Sequence, residues 1–186
     1  MMLTGVSNAV SARTRTGGRN ERERTMTVSL RASVQRVSDP KHLEESVEEV
    51  FRLMLGVACR RATEPPAREP DAVTAVVGFG GQLSGACVFS CGAAAAMQIA
   101  ARMTGMEFTE IDDTVKDGIG EICNMLAGAW KGKVPELAAH CGLSVPAVIT
   151  GHDYKLHVQA PEFQLQHDYS FGDACFAVTI VCDGLQ

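Results

Sequence analysis

The run Asp117-Gly118-Ile119-Gly120-Glu121-Ile122-Cys123-Asn124-Met125-Leu126-Ala127-Gly128 carries two patterns at once. At about 100° per residue, Val115, Ile119, Ile122, Leu126 and Trp130 fall on one side of a helix, while Asp117, Glu121, Asn124 and Gly128 gather within about 60° of one another on the other. The polar stripe therefore points away from the core. Glu121 and Asn124, three residues apart, have Cβ atoms about 5–6 Å apart on that surface, so one partner could meet both. Gly118, Gly120 and Gly128 each cost up to about 1 kcal/mol relative to Ala, so helix stability did not select them. At Gly128 a missing side chain would let another molecule's backbone approach closely. Asn124 is the only Asn after residue 20.

Working outward, this helix opens at Asp112 or Asp113 and runs through Ala129 or Trp130. Before it, Ala93 to Thr104 reads as a helix closed by Gly105, and two apolar strands, Ala72 to Phe79 and Leu83 to Ser90, are joined by Gly80-Gly81 as a tight hairpin. Thr63 to Pro70 reads as a loop. Asp39-Pro40 opens a first helix, with Glu44 and Glu45 toward its positive end; Leu43, Val47, Val50, Phe51 and Met54 form its stripe and Gly56 its stop. Alternation at Val28, Leu30, Ala32 and Val34 suggests a short extended segment. After Pro146 the pattern returns to strands at Ala147 to Thr150, Lys155 to Val158, Phe163 to His167 and Cys175 to Cys182. The order predicts an α+β fold, helices packed on a mainly antiparallel sheet, with a weak likeness between its two halves.

At 186 residues, 46% hydrophobic and 21% charged, the chain has the material of one ordinary core. Arg13, Arg15, Arg19, Arg22 and Arg24 against Glu21 and Glu23 give residues 1–25 a charge of +3, so with −5 overall the remainder carries −8. No basic face for nucleic acid is expected. Gly92 to Ala101 falls well short of the roughly 20 apolar residues a bilayer needs, and the N-terminus lacks a secretory pattern, so the expectation is a cytoplasmic protein with no membrane association. Residues 1–25 have no helical or strand period and read as a disordered leader, or as sequence ahead of a start at Met26, leaving 26–186 as the folded domain. The seven Cys, an odd number mostly inside apolar runs, suit reduced buried thiols.

The motif resembles that of the CheX-like phosphatases of bacterial chemotaxis, relatives of CheC and FliY: Asp or Ser, three residues, Glu, two residues, Asn, and a Pro some twenty residues on. Here these are Asp117, Glu121, Asn124 and Pro146. The longer runs Gly120 to Gly128 and Pro146 to Gly151, and the Gly-rich hairpin near Gly78 to Gly85, also look like CheX, the likeness extending from about Leu43 to Val181. The resemblance implies a CheC/CheX-like fold with pseudo-two-fold halves and hydrolysis of the aspartyl phosphate of a CheY-type response regulator. In that reading Glu121 and Asn124 are catalytic: Glu121 pairs with the regulator's active-site Lys and Asn124 orients the attacking water. The protein needs no cofactor of its own, with Mg²⁺ expected on the partner receiver domain. The first helix, Glu44-Glu45-Ser46-Val47-Glu48-Glu49, has no Asn, so one site per chain is implied, in a homodimer.

Blander alternatives stand beside these. Any polar stripe can be a solvated face, and Asp117 either binds the partner, as Gly128 is expected to, or simply sits on that face. Pro146 reads as structural support. Cys123 turns toward the apolar flank and reads as packing. His42, His140, His152, His157 and His167 show no ligand spacing, so no metal site is expected. A receiver-binding or adaptor module without catalysis is the rival function. A single helical layer covers one face of a sheet, so the other needs further helices, a second sheet or a partner, which is the physical case for a homodimer.

Overall fold

The computed structural model describes residues 34–63, 73–151 and 161–185. In chain order the elements are α1 (Pro40–Leu55), β1 (Arg60–Arg61), β2 (Val73–Gly81), β3 (Leu83–Cys91), α2 (Ala93–Thr104), α3 (Asp113–Lys133), α4 (Pro135–Ala138), β4 (Cys141–Leu143), β5 (Ala147–Thr150), β6 (Phe163–Phe171) and β7 (Ala174–Leu185). The expected disordered leader, most of the extended segment near Val28, most of the loop after Thr63 and the strand at residues 155–158 lie outside the described residues.

Local chemistry sets both ends of α1 and the start of α3 as the sequence predicts, whereas α3 runs on to Lys133, past the expected end at Ala129 or Trp130. Asp39 caps α1 by accepting from the Lys41 amide at 3.0 Å, with Pro40 in the first turn and Gly56 closing the helix in the left-handed region at φ 65°. Asp112 caps α3 by accepting from Val115 N at 2.9 Å. Glu44 and Glu45 lie beyond the first turn of α1 and are used otherwise, Glu44 pairing with Arg61 and Glu45 facing Lys133 at 4.0 Å. Val34, expected to be extended, begins helical residues 34–37 instead: Ser38 N donates to Val34 O at 2.8 Å, and the turn buries Val37 in the core.

All strand pairings are antiparallel, in the order β1-β6-β7-β3-β2, with β4 and β5 sharing the outer edge of β2. The order has a two-fold logic about the β3/β7 boundary. The segment after α1 supplies β1 to the far hairpin, β6–β7, and the segment after α3 supplies β4 and β5 to the far hairpin, β2–β3. Each half thus closes the other's edge. The halves seen weakly in the sequence are symmetric in topology.

The hairpin differs from its expected form. Pairing of β2 with β3 ends at Phe79 opposite Gly85, and Gly80 and Gly81 continue β2 to face Gly142 and Cys141 of β4. Gly81 has φ 112°, and a Cβ there would lie 2.3 Å from the His140 carbonyl oxygen, so the long-range β4 contact is what requires glycine.

Alternation places Val73, Ala75, Val77 and Phe79 of β2 on the helix side, in register with Cys91, Phe89 and Cys87 of β3 and, through these, with Phe176, Val178 and Ile180 of β7. Helix α3 lies over β2 and β3 with α1 and α2 packed against it. Its Val115, Ile119, Ile122, Leu126 and Trp130 are fully buried, as the periodicity requires.

Candidate functional site

With its apolar side in the core, α3 turns Asp117, Glu121, Asn124 and Gly128 outward: Asp117 and Glu121 are exposed, Asn124 and Gly128 half-buried. Among the described residues, neither the Glu121 carboxylate nor the Asn124 amide has a hydrogen-bond partner. A carboxylate and an amide one turn apart, both unengaged, offer an acceptor-only charged group beside a group that both donates and accepts. The helix beneath them is anchored at its end. Lys133 pairs with Glu49 of α1 at 2.8 Å, and Lys131 donates to the carbonyls of Ala138 at 2.9 Å and Cys141 at 2.7 Å. Near the start of the helix, Lys116 is held by Asp113 at 2.8 Å, which lowers the Asp113 carboxyl and raises the Lys116 amine.

Cys123, between the two candidate catalytic residues in sequence, points inward as expected. It is fully buried, with Sγ 3.4 Å from Ala75 O and 3.5 Å from Cys87 O. Its hydrogen bond and burial push the neighbouring Cys87 thiol well above the ordinary thiol range, so that buried thiol stays protonated. Among the described residues no group of His, Cys, Asp and Glu is placed to hold a metal ion, and no helix is long and apolar enough to cross a membrane.

The helix glycines divide by cause. A Cβ on Gly118 would meet Met103 Sδ at 3.6 Å and the Ala100 backbone of α2 at 3.8 Å, and one on Gly120 would meet Val148 Cγ2 at 3.3 Å and Pro146 Cβ at 3.4 Å. The contact at Gly120 is tighter than a Cβ ordinarily makes, so that glycine lets α3 approach the β5 edge, whereas the contacts at Gly118 are ordinary ones. Pro146 thus packs against α3 one turn before Asn124. A Cβ at Gly128 would meet only Leu143 Cδ1, at an ordinary 3.9 Å, so nothing in the described fold demands glycine there.

The pseudo-symmetric face of α1 is built differently. Matching the buried Leu43, Val47, Val50 and Phe51 with Val115, Ile119, Ile122 and Cys123 places Glu45, Glu49 and Arg52 where α3 has Asp117, Glu121 and Asn124. Lys133 engages both glutamates, and no amide is present.

Residues 73–168 match the family described as chemotaxis phosphatase CheX. The CheY-P phosphatase CheX of Thermotoga maritima is 30% identical over 115 residues, covering 60% of this chain and 74% of that protein. Crystal structures share the fold: chemotaxis protein CheX from Vibrio vulnificus has a TM-score of 0.65 at 22% identity, over 76% of this chain and 93% of that one. A CheX–CheY–BeF3–Mg²⁺ complex from Borrelia burgdorferi has a TM-score of 0.65 at 19% identity, over 77% and 97%. Fold, stripe and sequence together define a protein phosphatase of the chemotaxis class. The chain belongs to the CheX family.

Proposed function

We propose that this chain hydrolyses the aspartyl phosphate of a CheY-type receiver domain in the cytoplasm, with Glu121 and Asn124 as its catalytic residues. The observation that carries this reading is the surface pair of exposed Glu121 and half-buried Asn124, neither with a hydrogen-bond partner among the described residues, on an otherwise tightly anchored helix. Phosphoryl transfer to water needs positioning and charge neutralisation rather than a covalent nucleophile on the phosphatase. Glu121 pairs with a cation at the receiver's phosphorylation site and sets the register of docking. The Asn124 amide holds a water in line with the phosphorus. The water oxygen bonds to phosphorus as the bond to the aspartyl oxygen breaks; the receiver carboxylate leaves with that electron pair, and the water's proton passes to the phosphate and solvent. Mg²⁺, carried by the receiver, neutralises charge on the phosphoryl oxygens. Asp117 and Gly128 extend the docking stripe on either side, and Pro146 supports the helix at its flank, against Gly120. The test is the rate of phosphate loss from the host's phosphorylated receivers with and without this protein: acceleration is expected, and binding without acceleration would make it an adaptor.

One site per chain is consistent with α1, whose matching face is tied up by Lys133 and has Arg52 in the amide position. Glu121→Ala should weaken capture of a phosphorylated receiver about tenfold, and the remaining binding should depend less on ionic strength, because a charge-assisted contact has gone. Affinity and turnover both unchanged across a salt titration would remove Glu121 from the site.

The chain acts as a two-fold homodimer in this reading. Support comes from the sheet face turned away from the helices, where Ala147 and Ile149 on β5 are exposed, Ile149 at 42%. Sedimentation at micromolar concentration should give about twice 19.8 kDa. A monomer there would count against the dimer and leave the phosphatase reading untouched.

A further inference from the structure

The outer edge of β2 is not paired by one continuous strand. Gly78 faces Ser144, with Ser144 N donating to Gly78 O and Gly78 N donating to Ser144 Oγ, both at 2.9 Å, whereas Val76 faces Ala147. Two residues, Val145 and Pro146, therefore stand opposite the single residue Val77. This is a β-bulge, a device that re-aims side chains beside functional sites.

The bulge runs along α3 in the opposite direction to the helix. Leu143 lies against Gly128 and Pro146 against Gly120. From Gly120 to Gly128 the helix rises about 12 Å, and the three steps from Leu143 to Pro146 span about 10 Å. Asn124 sits midway between the two glycines in height and in angle, so Ser144 and Val145 pass beside it. Glu121 lies on the far side of the stripe. Ser144 is fixed to Gly78 by both its amide and its hydroxyl, and its hydroxyl donates to Val145 O at 2.8 Å, so the bulge is rigidly held. Val145 itself is 86% exposed, the most exposed of the large hydrophobic side chains among the described residues.

We infer that Val145 is a docking and specificity residue for the receiver, an apolar post beside Asn124 that takes an apolar patch next to the receiver's phosphorylated carboxylate. The inference rests on the phosphatase reading above. A rigid apolar side chain that is solvated alone and covered in a complex adds affinity at the centre of a contact. The other exposed large hydrophobics among the described residues, Leu53, Met106 and Ile149, lie on α1, after α2 and on β5.

The experiment is steady-state dephosphorylation of the host's phosphorylated receiver by the full chain, with Val145→Asp, Val145→Ile and Asn124→Ala compared. Val145→Asp should raise KM about tenfold or more with kcat within about twofold. Its urea unfolding midpoint should match wild type, since the side chain is already solvated. Val145→Ile should keep a wild-type KM. A KM for Val145→Asp within twofold of wild type, while Asn124→Ala still abolishes turnover, overturns this inference and leaves the phosphatase standing. A loss confined to kcat also overturns it, because the bulge would then act in the chemical step and not in docking. A wild-type chain that releases no phosphate overturns both readings.

Discussion

Asn124→Ala should abolish phosphatase activity, lowering kcat by two to three powers of ten, and leave the fold at least as stable as before. The first half follows from what the amide does. It contributes no proton and no bond to phosphorus, so its whole effect is to hold a water in line, and losing one well-placed polar group at a reacting centre costs on the order of 10²–10³ in rate. The second half follows from where it sits. Asn124 is half-buried on the outer face of α3 with no hydrogen-bond partner among the described residues, and Ala is the better helix former. Single-turnover measurement of phosphate release, paired with a urea melt, separates the two. Turnover near wild type would mean another group positions the water, and the assignment of the stripe would fail. KM should move little, because the proposed docking contacts are Glu121 and Val145. That division distinguishes this variant from Val145→Asp, whose effect falls on KM.

The two faces of α3 were legible because helical period alone separates them: every residue assigned to the apolar side is fully buried, and every residue assigned to the polar stripe reaches the surface. The caps at Asp39, Gly56, Gly105 and Asp112 were legible for a similar reason, since each acts within a few residues of itself. The roles of Glu121 and Asn124 came from resemblance, because spacing shows only that both can meet one partner.

What escaped was built from distant pairings. β1 is two arginines opposite Tyr169 and Ser170, with no apolar alternation to betray it. β4 and the bulge after it exist because Gly78 to Gly81 offer an edge some 66 residues upstream. Pro146, lacking an N–H, hid the continuity of that edge, since a strand reading begins after a proline and not across it. The glycines were seen to need a cause other than propensity. Only the packing shows that Gly120 answers to neighbours within the chain, whereas a Cβ at Gly118 or at Gly128 would make ordinary contacts.

Phe176→Ala should cost about 3–5 kcal/mol of stability, the largest loss expected for a single substitution in this core. Phe176 is fully buried on β7 and stacks on Phe51 of α1 with ring centroids 4.4 Å apart and planes within 5°. Phe89 at 5.2 Å, Tyr169 at 5.4 Å and Phe171 at 6.0 Å surround it. These rings come from β3, β6 and α1, so one side chain joins both hairpins to the first helix. Truncation would strip several ring contacts at once, and the opposing residues lie on paired strands that cannot close over the gap. Against a typical total of about 5–15 kcal/mol, such a loss brings the chain close to unfolding at growth temperature. The cavity would open under α1, whereas the proposed site, Glu121 and Asn124, sits on α3 over β2 and β3. Below the unfolding transition, folded protein should therefore turn over the receiver at a near wild-type rate, while the urea midpoint falls steeply with the slope m unchanged. A midpoint shift worth less than about 1 kcal/mol would mean that the ring cluster is plastic enough to refill the space, and that the two halves of the sheet are joined through the β3–β7 ladder rather than through these side chains.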